Sequence, residues 1–219
     1  MLLSVLVFAN TDNGINKLPE KVEKTIDSLI NNGLKNQVFP GCQVVVLKEG
    51  EVIFDKCYGY QTYYQRIPIT DSTMYDMASV TKSAATTLAV MKLYDEGKIK
   101  LDNTIGQFLP YLRGTDKSQI PLIELLTHTS GMPAFIPFYK KIANDARYIS
   151  MIYSEQFSVQ IADSCYLRTD FQDSVRYKIA TCKLGQKKYV YSDLNFFLLK
   201  EMVEYITGIP LDQYFSPIQ

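Results

Sequence analysis

A β-hairpin pattern over residues 42–57 is the feature that most constrains the fold of this chain. Residues 42–47 (CQVVVL) and 52–57 (VIFDKC) are β-prone runs that flank the turn sequence Lys48-Glu49-Gly50-Glu51. Apolar spacing predicts helices over residues 19–31, 79–96 and 193–207, whereas residues 134–170 show no clear periodicity. The chain must therefore combine a short antiparallel hairpin with a larger set of helices.

The hairpin pattern also bears on two of the four cysteines. If Glu49-Gly50 forms a two-residue turn, Cys42 faces Cys57 in a hydrogen-bonded pair. The Cα atoms of such a pair lie about 5.5 Å apart, which is compatible with a disulfide. A β-bulge would break this register, and two reduced, half-buried thiols are the other interpretation.

Composition narrows the chemistry that the chain can perform. The 219 residues include 23 Lys plus Arg and 23 Asp plus Glu, so the net charge is 0. A chain without net charge is not attracted as a whole to nucleic acid or to an anionic membrane. His128 is the single histidine and the cysteines form no C-x-x-C pair, which argues against a zinc site. No apolar run reaches the ~18 residues that span a bilayer. We therefore expect no metal, no cofactor, no nucleic-acid partner and no membrane span.

The first nine residues (MLLSVLVFA) form a short apolar run without a basic start. Val7 and Ala9 occupy the −3 and −1 positions of a cleavage site before Asn10. Residues 1–9 are therefore either a signal-peptide remnant or the start of a domain cut from something longer. The first interpretation predicts a periplasmic or exported protein, and a cytoplasmic location stays open under the second.

Ser79-Val80-Thr81-Lys82 is the only S-x-x-K in the chain, and it lies where the 79–96 helix is predicted to begin. A hydroxyl at this position sits at the positive end of the helix dipole. Lys82 is three residues further on and therefore on the same helix face. A Ser–Lys pair can activate a hydroxyl without histidine. The structural alternative is that Ser79 caps the helix and Lys82 is a solvated helix residue.

Tyr191-Ser192-Asp193 is a second candidate motif, and it too precedes a predicted helix. A tyrosine near a lysine cation loses its proton more easily, and its phenolate can then act as a base. The structural alternative is a loop tyrosine packed on the core, with Asp193 as the helix N-cap. His128, in the turn sequence HTSGMP, is expected to be a hydrogen-bonded structural residue.

The order of these motifs and their surroundings carries a family resemblance. The segments MYDMASVTKSAATTLAVMKLYDEGKIKLDNTIGQFLP, PLIELLTHTSGMP and KYVYSDLNFFLLKEMVEYITGIPLDQYF together resemble the serine β-lactamase-like, or penicillin-binding, family. That family includes class C β-lactamases, D-Ala-D-Ala carboxypeptidases and related esterases. The YSD triplet is also similar to the lactamase-like modules that some bacteria append to family 3 glycoside hydrolases. The resemblance covers about residues 20 to 215 and implies an α+β fold of the β-lactamase/transpeptidase type over residues 18–219.

The resemblance implies a role for each residue of the two motifs. Ser79 looks like the acylated nucleophile, Lys82 like its proton partner, and Tyr191 like the general base. Asp193 occupies a substrate-binding position where the family more often has Asn. A carboxylate there is expected to hold Lys82 protonated and to shift the role of base toward Tyr191.

One family motif is not found in this sequence. The family carries Lys or His, any residue, then Gly on a strand after the tyrosine motif, and that strand supplies half of the oxyanion hole. No such motif follows Asp193, and Lys48-Glu49-Gly50 and Lys183-Leu184-Gly185 lie too early in the chain. We therefore expect a helical cluster with an antiparallel sheet of which only the N-terminal hairpin is present, in a domain that is incomplete at its C-terminus. A missing oxyanion donor costs ~10²–10³ in rate.

The sequence thus predicts a serine hydrolase that forms an acyl-enzyme with an ester, a D-amino-acid peptide or a β-lactam. Its expected partners are a small-molecule or peptidoglycan-derived substrate and a missing C-terminal portion or fused hydrolase domain. The alternative is a non-catalytic lactamase-like module that binds cell-wall fragments or a partner domain.

Overall fold

The computed structural model describes residues 17–142 and 145–215, without the side chains of residues 141 and 215. The described residues divide into two compact units, with the boundary between Met77 and Ala78. The segment 1–9, with its predicted signal-peptide remnant, lies outside the described residues. No helix in the described part of the chain has the length and apolar character needed to cross a membrane.

The first unit, from residue 17 onward, contains one helix and one hairpin. Helix α1 spans Glu20–Lys35, with Pro19 at its start as the sequence predicts. Strands β1 (Gly41–Lys48) and β2 (Glu51–Gly59) pair antiparallel. The Tyr58 hydroxyl on β2 donates a 2.6 Å hydrogen bond to Asp27 on α1, which ties the helix to the hairpin.

The register of this hairpin differs from the predicted one. Pairing begins at the turn as expected but slips by one residue, so that Val46 pairs with Phe54. Cys42 then lies opposite Tyr58 rather than Cys57. Because successive side chains alternate between the faces of a strand, Cys42 and Cys57 lie on opposite faces. The facing that a regular hairpin would give is therefore not formed, and the structure matches the other interpretation, a bulge with two free, half-buried thiols.

Helices dominate the second unit. The chain enters a helix at Val80, passes through a π-helical turn over Lys82–Thr87 and continues as α2 (Leu88–Asp95). The further elements are α3 (Ile105–Phe108), a 3₁₀ turn (Pro110–Leu112), α4 (Leu122–Leu126), α5 (Tyr139–Ile142), α6 (Phe171–Thr181), α7 (Asp193–Thr207) and α8 (Leu211–Phe215).

Helix α7 lies at the centre of the hydrophobic core of this unit. Its bounds are the predicted ones, and it ends at Gly208, whose φ of 70° is a left-handed conformation that favours glycine. Eight of its fifteen residues are buried, which is why its sequence is apolar on more than one face. The core around it includes Leu93, Ile105, Leu122 and Leu125, all fully buried. The start of α7 is thus packed against this core through Leu194.

A second small sheet lies within residues 145–170, where the sequence shows no clear periodicity. Strands β3 (Ile149–Ser150), β4 (Phe157–Ala162) and β5 (Cys165–Arg168) form an antiparallel sheet with β5 in the middle. This sheet is separate from the N-terminal hairpin, and the sequence did not predict it. The residues of β4 and β5 are all exposed or half-buried, so neither face is fully buried and the sequence lacks the alternation that marks a strand.

Candidate active site

Ser79 lies immediately before the helix that begins at Val80. Its side chain is exposed, and its carbonyl accepts the Lys82 N–H at 3.1 Å. The preceding residue, Ala78, has a φ of 43°, a left-handed conformation that costs a residue with a side chain ~1–3 kcal/mol and recurs at active sites. The π-helical turn that follows is another irregularity found at functional sites. The local backbone therefore presents Ser79 to solvent at the start of a distorted helix.

Lys82 connects the two predicted motifs. Its Nζ donates a 3.0 Å hydrogen bond to Ser79 Oγ and lies 2.7 Å from Asp193 Oδ1. The same Nζ lies 5.1 Å from the centroid of the Tyr191 ring. All four residues singled out in the sequence therefore meet in one place, although they come from the helix after Ser79 and from the loop that leads into α7.

The charge of Lys82 follows from these neighbours. Its side chain is only 16% exposed, and this burial disfavours the ammonium. Hydrogen bonds with Asp193 and Tyr191 outweigh the burial, so the pKa of Lys82 is raised above the ordinary lysine value. Lys82 is therefore an ammonium at neutral pH. It donates to Ser79 Oγ and has no lone pair with which to take the proton of Ser79.

The loop before α7 positions Tyr191 and Asp193. Asp193 is the first residue of α7, where its carboxylate is favoured by the helix dipole. Ser192 occupies the N-cap position, so the alternative of Asp193 as the N-cap is wrong. The Ser192 hydroxyl donates to Pro133 O at 2.6 Å, and the Asp193 N–H donates to Ala134 O at 2.8 Å. The loop is therefore anchored to the turn that follows His128.

His128 itself makes further contacts with this loop. Its carbonyl accepts the Val190 N–H at 2.9 Å, and its Nδ1 accepts the Ser192 N–H at 3.1 Å. Its ring lies against the Tyr191 ring, with 4.6 Å between centroids. Gly131 in the same turn has a φ of 79°, and a Cβ there would lie 2.8 Å from Gly185 O, so only glycine fits. The hydrogen-bonded structural role expected of His128 matches these contacts.

Two buried residues beneath the site were not singled out in the sequence. Asn195 is fully buried, and its Nδ2 lies 3.4 Å from His128 Nδ1. Ser130, only 2% exposed, donates from Oγ to Asn195 Oδ1 at 2.7 Å. Neither residue carries a sequence signal of its own, because the burial of this polar pair depends on how α7 packs against the turn.

This set of groups suits nucleophilic chemistry. A hydroxyl, a carboxylate and a phenol arranged around one ammonium can activate the hydroxyl for attack on an electrophile. Across residues 17–142 and 145–215, no group of three or more His, Cys, Asp or Glu side chains is arranged to hold a metal ion.

Comparison with known proteins identifies the family. Residues 26–216 match the family model described as beta-lactamase. The chain belongs to the beta-lactamase family. A relative named N-acetylmuramyl-L-alanine amidase, from Bacillus subtilis (strain 168), is 31% identical over 224 residues, which cover 95% of this chain and 45% of the relative. A putative D-alanyl-D-alanine carboxypeptidase from Salmonella heidelberg (strain SL476) is 26% identical over 84% of this chain and 43% of its own length. The chain spans less than half the length of these curated relatives.

Solved structures share the fold of this chain. The octameric penicillin-binding protein homologue from Pyrococcus abyssi superposes with a TM-score of 0.67 at 22% identity, over 89% of this chain and 41% of that one. EstCE1, a hydrolase with promiscuous acyltransferase activity, gives a TM-score of 0.65 at 22% identity, over 90% of this chain and 50% of its own. The predicted β-lactamase/transpeptidase-like fold is thus confirmed.

Proposed function

We propose that this chain carries the nucleophile of a serine hydrolase and forms an acyl-enzyme at Ser79. The observation that carries the proposal is the position of the Lys82 ammonium, 3.0 Å from Ser79 Oγ and 2.7 Å from Asp193 Oδ1. The family adds support, because the names of the relatives are those of a hydrolytic amidase and a carboxypeptidase.

The proposed roles follow from the charge state of Lys82. Since Lys82 is already protonated, we assign the general base to Tyr191, in its phenolate form, with the Lys82 ammonium offsetting the phenolate charge. Ser79 Oγ forms a bond to the carbonyl carbon of the substrate while its proton passes to Tyr191. The bond to the leaving group then breaks, and the leaving group takes that proton. Water hydrolyses the acyl-enzyme by the same steps in reverse order.

The substrate is proposed as an ester, a D-amino-acid peptide or a β-lactam. Among these we favour a peptide derived from peptidoglycan, because the relatives are named for an N-acetylmuramyl-L-alanine amide and a D-alanyl-D-alanine peptide. A substrate of this kind is met outside the cytoplasm, so the proposal includes an exported protein. Asp193 is proposed to contact the substrate through the part of its carboxylate that Lys82 leaves exposed.

Mass spectrometry of the intact protein tests the proposal. A fluorophosphonate should form a P–O bond to Ser79 with loss of fluoride, and benzylpenicillin should add as a ring-opened acyl group. Both mass increases should disappear in Ser79→Ala and persist in the control Ser83→Ala, which changes an exposed serine on the same helix. A folded wild-type chain that gains no adduct would contradict the proposal and favour a non-catalytic binding module.

A further inference from the structure

His128 accepts hydrogen bonds from the residues on both sides of Tyr191, and its imidazole packs against the Tyr191 ring. The Val190 N–H donates to the His128 carbonyl at 2.9 Å, and the Ser192 N–H donates to His128 Nδ1 at 3.1 Å. Between these two bonds, the imidazole packs 4.6 Å from the Tyr191 ring. One residue therefore contacts both the backbone on either side of Tyr191 and the Tyr191 ring.

The hydrogen bonds around His128 select one form of its imidazole. Two donors converge on Nδ1, the Ser192 N–H at 3.1 Å and the Asn195 Nδ2 at 3.4 Å. The Asn195 amide is oriented by Ser130 Oγ, which donates to its Oδ1 and leaves Nδ2 directed at His128. Nδ1 must therefore present a lone pair, which the neutral ring does only when its proton is on Nε2.

We propose that His128 is a positioning residue for Tyr191, that it acts only as the neutral Nε2-protonated imidazole, and that its protonation slows acylation of Ser79. This rests on the proposed function, in which Tyr191 is the base. A proton on Nδ1 would point at the Ser192 N–H and the Asn195 amide, which are both donors. Ser192 and Asn195 are fully buried, so water cannot replace the lost acceptor.

The charges that face His128 favour its neutral form over most of the pH range. Burial lowers the pKa of His128, the Lys82 ammonium lowers it further, and the Asp193 carboxylate opposes them. The other titratable groups that face the imidazole are the Tyr191 ring and the Tyr189 ring, whose centroid is 6.2 Å away. Protonation and the loss of Tyr191 alignment should therefore occur below the ordinary histidine range.

Nuclear magnetic resonance can observe this group without ambiguity, because the chain has one histidine. With ¹⁵N-labelled histidine, Nδ1 should be unprotonated and Nε2 protonated above the imidazole midpoint. The Ser192 backbone amide signal should shift with the same midpoint. A proton on Nδ1 of the neutral ring, or a Ser192 amide that does not follow the titration, would refute the proposed contact.

The kinetic test compares two substitutions of His128. Asn carries its Oδ1 on Cγ, where His carries Nδ1, and tolerates the φ of 57° at this position. His128→Asn should therefore restore the acceptor without a titrating ring, whereas His128→Leu supplies no acceptor. We expect His128→Leu to slow fluorophosphonate acylation about 10²-fold, the scale of a 1 Å misplacement. His128→Asn should regain most of that loss.

The pH dependence separates a positioning role from a purely structural one. The wild-type acylation rate should fall toward acid with the midpoint of the imidazole titration, and this limb should be missing in His128→Asn. The same limb in both proteins would refute the role of His128 while leaving Ser79 as the nucleophile. No adduct in the wild type at any pH would refute the proposed function and, with it, any effect on acylation. The Ser192 amide titration would still decide whether neutral His128 holds the loop.

Discussion

The substitution Asp193→Asn removes the carboxylate that stabilises the protonated form of Lys82 and leaves the size of the side chain unchanged. Two unit charges 2.7 Å apart attract by about 1.5 kcal/mol at the dielectric constant of water. That limit applies because the Asp193 side chain is 41% exposed and solvent screens the pair. An attraction of this size changes an equilibrium constant roughly tenfold. The pKa of Lys82 should therefore fall in the variant.

The sign of the pH effect follows from the raised pKa of Lys82. The ion pair stabilises the folded chain below the ordinary lysine pKa, and that stability is lost as the pH rises through the raised value. In the pH–rate profile of Ser79 acylation, the transition that marks loss of the Lys82 proton should move to lower pH in Asp193→Asn. Glu96→Gln is the matched control, because it removes a carboxylate from an exposed pair 2.9 Å from Lys98 Nζ. A profile of Asp193→Asn that superimposes on the wild-type profile would refute the reasoning.

Two further predictions concern stability and the thiols. Glu201→Gln should lower the free energy of unfolding in urea by about 2 kcal/mol, because the 7%-exposed carboxylate accepts hydrogen bonds from three side chains. An unchanged urea midpoint and slope would contradict that interpretation of the network. Cys42 and Cys57 should both react with iodoacetamide in the unfolded, unreduced protein, since they lie on opposite faces of the hairpin. A species that lacks two hydrogens and resists alkylation at both positions would show a disulfide instead.

Much of the fold follows from local signals in the sequence. Helix α7 has its predicted bounds, because Gly208 marks its end and apolar spacing marks its length. Helix α1 begins next to Pro19 as predicted but continues to Lys35, past its predicted end at Asn31. The slip at Val46 leaves no such signal, since a bulge depends on how two strands fit together. The π-helical turn after Ser79 also has no signal in the sequence, because it arises from packing and not from composition.

The site was partly predictable for a related reason. Each of the two motifs combines residue types suited to catalysis with a position at a helix start, and this made Ser79, Lys82, Tyr191 and Asp193 candidates. Their meeting could not be derived from spacing, because it depends on how the start of α7 packs against distant parts of the chain. The resemblance to a family supplied that step. The buried pair of Ser130 and Asn195 could not be predicted, because a single Asn within a helix has no periodic signature.

The rate of fluorophosphonate acylation at Ser79 in Lys82→Met and Tyr191→Phe tests the central claim most directly. Peptide mapping should place the adduct on Ser79, and circular dichroism should show that both variants are folded. If Lys82 and Tyr191 activate Ser79, each substitution should slow acylation by about 10²–10⁴, the usual contribution of a positioned acid or base. Wild-type rates in either variant, or an adduct on another residue, would contradict the assignment of these groups as one catalytic site.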